Sequence, residues 1–101
     1  FLAAQLTYLS YDMKFAPESK LDDGIISIQI VDRANPCLFT KLLLDLETGD
    51  HLNGNTVTAA DAVALRLEPT DGMVLIDGEV MKREPIQMQI HQGALRAFCL
   101  P

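Results

Sequence analysis

The sequence predicts a mostly β domain, an antiparallel β-sandwich that carries one amphipathic helix. Three observations predict this class: short apolar segments separated by Gly and Pro turns, an Asp-Gly pair between two such segments, and a single stretch with helical periodicity. The length of 101 residues suits one domain, and 49% of the residues are hydrophobic. Because the chain contains no Trp and only 6% aromatic residues, we expect an aliphatic core of Ile, Leu, Val and Met.

The first part of the chain contains two predicted strands. Residues 1–9 are mostly apolar and predict the first strand. Asp22-Asp23-Gly24 predicts a turn that leads into a β-branched strand over residues 25–31. Alternation along this strand predicts one inner face, formed by Ile26, Ile28 and Ile30, with Ser27 and Gln29 facing away.

A helix is predicted between Asn35 and Gly49. Asn35 suits the N-cap, Pro36 suits the first helical position, and Gly49 suits a left-handed C-terminal cap. Helical spacing places one apolar stripe on this helix, formed by Leu38, Phe39, Leu42, Leu43 and Leu46. The stripe predicts core packing, and Leu44 on the other side suggests a second apolar neighbour. For His51 two roles are open: capping the last carbonyl groups of the helix, or placing a polar group at the mouth of an apolar pocket beneath it.

The second part of the chain contains the remaining predicted strands. They span residues 56–67, 73–76, 79–82 and 86–91, and a final segment covers residues 94–100. The Asp77-Gly78 pair between two of them is the strongest hairpin signal in the chain.

Composition excludes several function classes. The formal net charge of −6 argues against a nucleic-acid partner and against a strong electrostatic hold on anionic lipids. Cys37 and Cys99 match no metal-ligand spacing, so we expect buried thiols in a reducing compartment. No apolar run approaches the roughly 20 residues of a membrane span, and no signal peptide is recognisable. The start without Met, in mid-pattern, suggests a piece of a longer chain.

The best candidate for chemistry is the turn Asp77-Gly78-Glu79. The sequence contains no phosphate-binding loop with a Lys, no zinc cluster and no nucleophile elbow. The turn has two interpretations. It is either a solvated hairpin tip, or a pair of carboxylates that acts on a nucleotide, a bound Mg²⁺ or a substrate hydroxyl. Asp22-Asp23-Gly24 is likewise either a simple turn that precedes a strand or the site of a structural metal or water network.

An ordered set of short motifs resembles the carboxyl-terminal domain of sphingosine kinases, which belong to the diacylglycerol-kinase-like lipid kinases. The resemblance covers nearly the whole chain. The motifs are Ala16-Pro17, Asp23-Gly24, Gly49-Asp50-His51, Leu67-Glu68-Pro69, Asp77-Gly78-Glu79 and the Gln-x-Gln-x-His pattern of Gln87, Gln89 and His91.

The resemblance implies a two-domain enzyme whose amino-terminal nucleotide-binding domain is absent from these 101 residues. Asp77, Gly78 and Glu79 would contact ATP and its Mg²⁺ in the cleft between the domains. Glu79 would be the catalytic base, as in bacterial diacylglycerol kinases, or an Asp of the missing domain would be the base. The resemblance also implies six residues that line the pocket for the lipid tail: Phe39, Leu42, Leu43, Leu46, His51 and Val57.

The implied function is ATP-dependent phosphorylation of the primary hydroxyl of sphingosine or a related sphingoid base. We expect a cytoplasmic protein that associates peripherally with the membrane. Its expected partner is the amino-terminal kinase domain, and no nucleic-acid partner is expected. The fragment alone is expected to be inactive. The alternatives are a diacylglycerol, ceramide or broad-range bacterial lipid kinase, and a non-catalytic lipid-binding β-sandwich. A cytoskeletal or adhesive module is disfavoured by the cysteines and the central helix.

Overall fold

The computed structural model describes residues 1–32 and 35–98. Within these ranges the chain forms antiparallel strands and one α-helix, which confirms the predicted fold class. The strands are β1 (Leu2–Ala4), β2 (Tyr8–Ser10), β3 (Met13–Lys14), β4 (Ile26–Val31), β5 (Val57–Ala62), β6 (Ala64–Leu67), β7 (Val74–Ile76), β8 (Glu79–Met81) and β9 (Ile86–Gln89). Helix α1 spans Pro36–Thr48, and a 3-10 helix, η1, spans Asp50–Asn53.

The largest sheet among the described residues has the order β1-β4-β5. Ile28 in its central strand lies opposite Ala3 on one side and Ala60 on the other. The remaining pairs are β2-β3, β6-β9 and β7-β8. The predicted strand over residues 56–67 is therefore divided between two sheets, and the division falls at Val63.

Helix α1 has the predicted boundaries. The Oδ1 atom of Asn35 accepts a hydrogen bond of 2.8 Å from the Leu38 amide, and Pro36 occupies the first turn. Gly49 adopts φ = 86°, and its amide donates to the Asp45 carbonyl at 2.9 Å. A Cβ atom on Gly49 would lie 2.8 Å from Cγ of Pro17, so this cap also needs the absence of a side chain.

Two predicted strands differ in the structure. Residues 1–9 form two strands because the chain bends between them to meet the loop that follows β3. There the Ser19 hydroxyl donates to the Gln5 carbonyl at 3.0 Å, and the Thr7 hydroxyl donates to the Ser19 carbonyl at 2.8 Å. In the final predicted segment, residues 94–98 form no strand, and residues 99–100 lie outside the described ranges.

The inner face of β4 was predicted wrongly in part. Gln29 is buried, whereas Ile30 is 45% exposed. The reason is that Gln29 and Val31 lie on the face of the sheet that lines the cavity beside α1, and the polar end of Gln29 finds hydrogen-bond partners there. Cys37 was also predicted wrongly, because it is exposed on the helix; Cys99 lies outside the described residues.

The acidic turn before β4 has a structural role. The Asp23 carboxylate accepts hydrogen bonds from the amides of Lys20 at 2.8 Å and Ile25 at 2.9 Å. These two bonds hold the pKa of Asp23 below its ordinary value, and the charge of Lys20 lowers it by a smaller amount. Nearby, the Gln92 side chain donates a hydrogen bond of 2.6 Å to the Asp22 carbonyl, which ties the carboxyl-terminal part to this turn.

Helix α1, at 13 residues, is too short to cross a bilayer, and no other helix in the described residues has the length and apolar composition to do so.

Candidate functional site

A cavity of about 160 Å³ lies between α1 and the three-stranded sheet. It is lined by Phe1, Leu2, Leu9, Met13, Phe15, Gln29, Val31, Phe39, Leu42, Leu43, Leu46, His51 and Val57. All six residues expected to line a lipid pocket are therefore brought together here. Their role in lipid binding stays a prediction.

The cavity has an open apolar side and a closed side. Side chains on the open side are roughly half exposed: Phe1, Leu2, Leu9, Phe39 and Leu43. Side chains on the closed side are buried: Phe15, Gln29, Leu42 and His51. An apolar chain could thus enter between the half-exposed residues and approach the buried ones, which we call the floor of the cavity.

The floor contains a short hydrogen-bonded chain of three residues. The Nε2 atom of Gln29 donates to the Phe15 carbonyl at 2.6 Å. This bond turns Oε1 of Gln29 towards His51, whose Nε2 atom lies 3.0 Å away. Because Oε1 can only accept, Nε2 of His51 carries the proton. The chain therefore joins η1, β4 and the segment after β3.

His51 is 4% exposed, and its Nδ1 atom has no hydrogen-bond partner among the described residues. Burial lowers the pKa of His51 below its ordinary value of 6.5, although the Phe15 carbonyl and the carboxylate and carbonyl of Asp45 act in the opposite direction. His51 therefore lines the apolar cavity, but on its buried side and not at the mouth, where the second predicted role placed it. Its ring also stacks on Phe15, with centroids 6.5 Å apart.

The Asp77-Gly78-Glu79 turn closes the hairpin β7-β8 as predicted. Asp77 adopts φ = 50° and Gly78 φ = 83°, the paired positive values of a type I′ turn, and Ile76 lies opposite Glu79. Asp77, Gly78 and Glu79 are all exposed, and none of them lines the cavity beside α1. Within this chain the structure does not bring the carboxylate turn and the apolar cavity together.

The described residues contain no group of three His, Cys, Asp or Glu side chains arranged to hold a metal ion. Asp77 and Glu79 supply two exposed carboxylates. Mg²⁺ is commonly held by one or two carboxylates together with substrate phosphates and waters. The turn therefore fits a Mg²⁺ ion only if a nucleotide provides other ligands.

Sequence reasoning missed the contribution of Gln29 and Phe15 to the cavity. Gln29 occupies a polar position in a strand that alternates between apolar and polar residues, and such positions usually face solvent. Val31, two residues on and on the same face of β4, gave a weak signal that this face is apolar. Phe15 lies immediately before an Ala-Pro loop, where neither helical nor strand periodicity of apolar residues can predict burial.

Comparison with known proteins relates the chain to lipid kinases. The family profile described as "YegS C-terminal NAD kinase beta sandwich-like domain" matches residues 2–99. Sphingosine kinase B of Dictyostelium discoideum is 29% identical over 97% of this chain and 14% of its own length. Sphingosine kinase 2 of Homo sapiens is 33% identical over 91% of this chain and 15% of its own length. Sphingosine kinase 1 of Homo sapiens is 30% identical over 89% of this chain and 25% of its own length. The chain thus spans a quarter or less of these relatives.

Proposed function

Because the chain belongs to the YegS C-terminal NAD kinase beta sandwich-like domain family, we propose that it is the lipid-accepting domain of an ATP-dependent lipid kinase. The substrate is sphingosine or a related sphingoid base, phosphorylated on its primary hydroxyl. The single observation that carries the proposal is the apolar cavity beside α1, which gathers the six expected tail-lining residues.

The size of the cavity suits part of a hydrocarbon tail. An engineered protein cavity of about 150 Å³ lined by apolar side chains binds benzene. The cavity beside α1, at about 160 Å³, therefore accommodates a chain segment of about six carbons by that comparison. Burial of each methylene contributes about 0.8 kcal/mol, so such a segment supplies about 5 kcal/mol of binding free energy.

The hairpin tip supplies the polar part of the site. Exposed Asp77 and Glu79 are available to a nucleotide held by a second domain, and Gly78 allows close approach to the backbone. Bound Mg²⁺ would neutralise phosphate charge during transfer. In that reaction the substrate hydroxyl oxygen forms a bond to the γ-phosphorus, the bond to the ADP oxygen breaks, and the hydroxyl proton passes to a base. Glu79 is one candidate for that base, and an Asp of the second domain is the other.

We further propose that the enzyme works in the cytoplasm and touches the membrane peripherally, because its substrate resides there. The negative charge of this chain supports contact through apolar groups rather than through attraction to anionic lipids.

The test uses the complete polypeptide with Asp77→Asn and Glu79→Gln. Both variants are expected to lower kcat strongly while the unfolding temperature stays unchanged, because both side chains are exposed at a hairpin tip. Asp71→Asn is the matched control, since Asp71 also precedes a glycine in an exposed turn. Wild-type turnover in both variants would contradict the kinase role and favour a non-catalytic lipid-binding sandwich.

The substrate class is tested by comparing kcat/KM for sphingosine, diacylglycerol and ceramide. We expect sphingosine to be preferred. A preference for diacylglycerol would keep the kinase assignment and overturn the sphingoid one.

A further inference from the structure

The floor of the cavity carries two polar side chains beside two hydrophobic ones, whereas its other walls are apolar. Of the described residues that line the cavity, Gln29 and His51 are polar and the rest are hydrophobic. Both are 4% exposed, and both lie on the closed side. A saturated chain that reached the floor would therefore meet the Gln29 carboxamide as well as the hydrocarbon of Phe15 and Leu42.

The hydrogen-bonding capacity of Gln29 is only partly used. A carboxamide has two N–H donors and an oxygen with two lone pairs. The described contacts use one donor, to the Phe15 carbonyl, and one lone pair, for the bond from His51. One N–H group and one lone pair remain, in a side chain that has almost no contact with solvent.

A hydroxyl group matches this remaining capacity. It donates one hydrogen bond and accepts others, so it can serve both the free N–H and the free lone pair. A charged group would suit the floor poorly, because burial of an ion without a counter-charge is costly. The described residues that line the cavity include no Asp, Glu, Lys or Arg, and the Asp45 carboxylate that acts on His51 is not among them.

We propose that Gln29, oriented by His51, is a specificity-determining residue that favours a lipid chain bearing a hydroxyl group where the chain meets the floor. This inference rests on the proposed function, because it assumes that a lipid chain occupies the cavity. It goes beyond that function by naming a polar feature of the tail that the cavity selects.

The experiment measures displacement of a fluorescent sphingoid base from the complete polypeptide. The competitors are saturated sphingoid bases of equal length, each with one extra hydroxyl at a successive chain position, and the parent base without it. We expect one position to bind about five-fold more tightly than the parent, the effect of one added buried hydrogen bond. Gln29→Leu should remove this preference, so that no hydroxylated competitor binds more tightly than the parent base does to the same variant.

Two further variants keep the result interpretable. Gln87→Leu, an exposed glutamine in β9, is the matched control and should retain the preference. If Gln29→Leu fails to fold, the double variant Gln29→Leu/His51→Leu replaces both hydrogen-bonding partners by apolar groups, which is better tolerated than removal of one. It should also lose the preference.

The outcomes separate the two proposals. If the fluorescent base binds but every hydroxylated competitor matches the parent, or if Gln29→Leu keeps the preference, the role of Gln29 is overturned and the lipid cavity stands. If no sphingoid base binds the wild-type protein, the proposed function is overturned, and this inference with it.

Discussion

The Nε2 atom of His51 lies 3.0 Å from Oε1 of Gln29, and the two side chains come from elements 22 positions apart in the chain. This contact links η1, directly after α1, to the central strand of the main sheet. Because Gln29 also bonds to the Phe15 carbonyl, the contact holds three sides of the cavity together. These buried hydrogen bonds therefore help to fix the shape of the cavity.

His51→Ala should destabilise the protein by about 3 kcal/mol. The substitution removes a buried ring and leaves Oε1 of Gln29 without its donor, and each effect costs roughly 1–3 kcal/mol. Urea denaturation measures the change in free energy of unfolding. His91→Ala, at an exposed position, should alter it by no more than about 0.5 kcal/mol. Equal effects of the two substitutions would contradict the structural role of His51.

Stability should fall when the pH drops below about 6.5, the ordinary pKa of histidine. The folded state holds His51 neutral because burial lowers its pKa, so the unfolded state binds the proton first. The loss continues down to the lowered pKa, with a slope of at most about 1.4 kcal/mol per pH unit for one proton. Denaturation of wild type and of His51→Phe between pH 7 and pH 5 tests this, and the variant should lose the slope.

Asp23 should affect the stability of the fold in a separate and more acidic pH range. Its pKa is lowered in the folded state, so its contribution is present above its ordinary value of 3.8 and is lost as the pH falls further. Asp23→Asn should therefore change the pH dependence of unfolding only below that value. A change between pH 5 and pH 7 in this variant would be the contrary result.

Gly49→Ala should cost at least about 1 kcal/mol of stability. Gly49 has φ = 86°, which disfavours any residue with a Cβ atom, and the new atom would press on Pro17. Gly54→Ala is the control, because Gly54 has φ = −100° and its Cβ would meet its nearest neighbour at 4.0 Å. Thermal unfolding of both variants measures the difference, and similar losses would show that the cap is not the cause.

Leu43→Trp should weaken lipid binding without unfolding the chain. Leu43 borders the cavity and is 47% exposed, so a larger side chain can extend over the opening and obstruct it. Leu44→Trp places the same residue one position on, where Leu44 is 67% exposed and outside the cavity lining. Lipid displacement should separate the variants several-fold. Equal affinities would place the lipid somewhere other than beside α1.

Local signals predicted the elements whose geometry is decided locally. Asn35, Pro36 and Gly49 gave the ends of α1, and Asp77-Gly78 gave the hairpin, because capping and turn chemistry depend on adjacent residues. The orientation of Gln29 could not be predicted in this way. Its burial depends on Phe15 and His51, which lie 14 and 22 positions away, and only the folded chain brings them near.

The candidate site was likewise predictable where local spacing decides it and not where distant segments meet. The stripe on α1 identified one wall of the cavity, since helical periodicity places Phe39, Leu42, Leu43 and Leu46 together. The opposite wall comes from β1, β4 and the residues around β3, and no spacing in the sequence connects these to the helix.

The hydrogen bond from Gln92 to the Asp22 carbonyl spans 70 positions. Closing so long a loop costs entropy before the contact is gained, so this link should form late in folding and open early under stress. Everything between the two residues, including both the helix and the hairpin tip, lies within that loop. The pairing of β1 with β4 and the bond from Gln29 to Phe15 close shorter loops, so they should hold the helix and the main sheet in place after the Gln92 bond has opened.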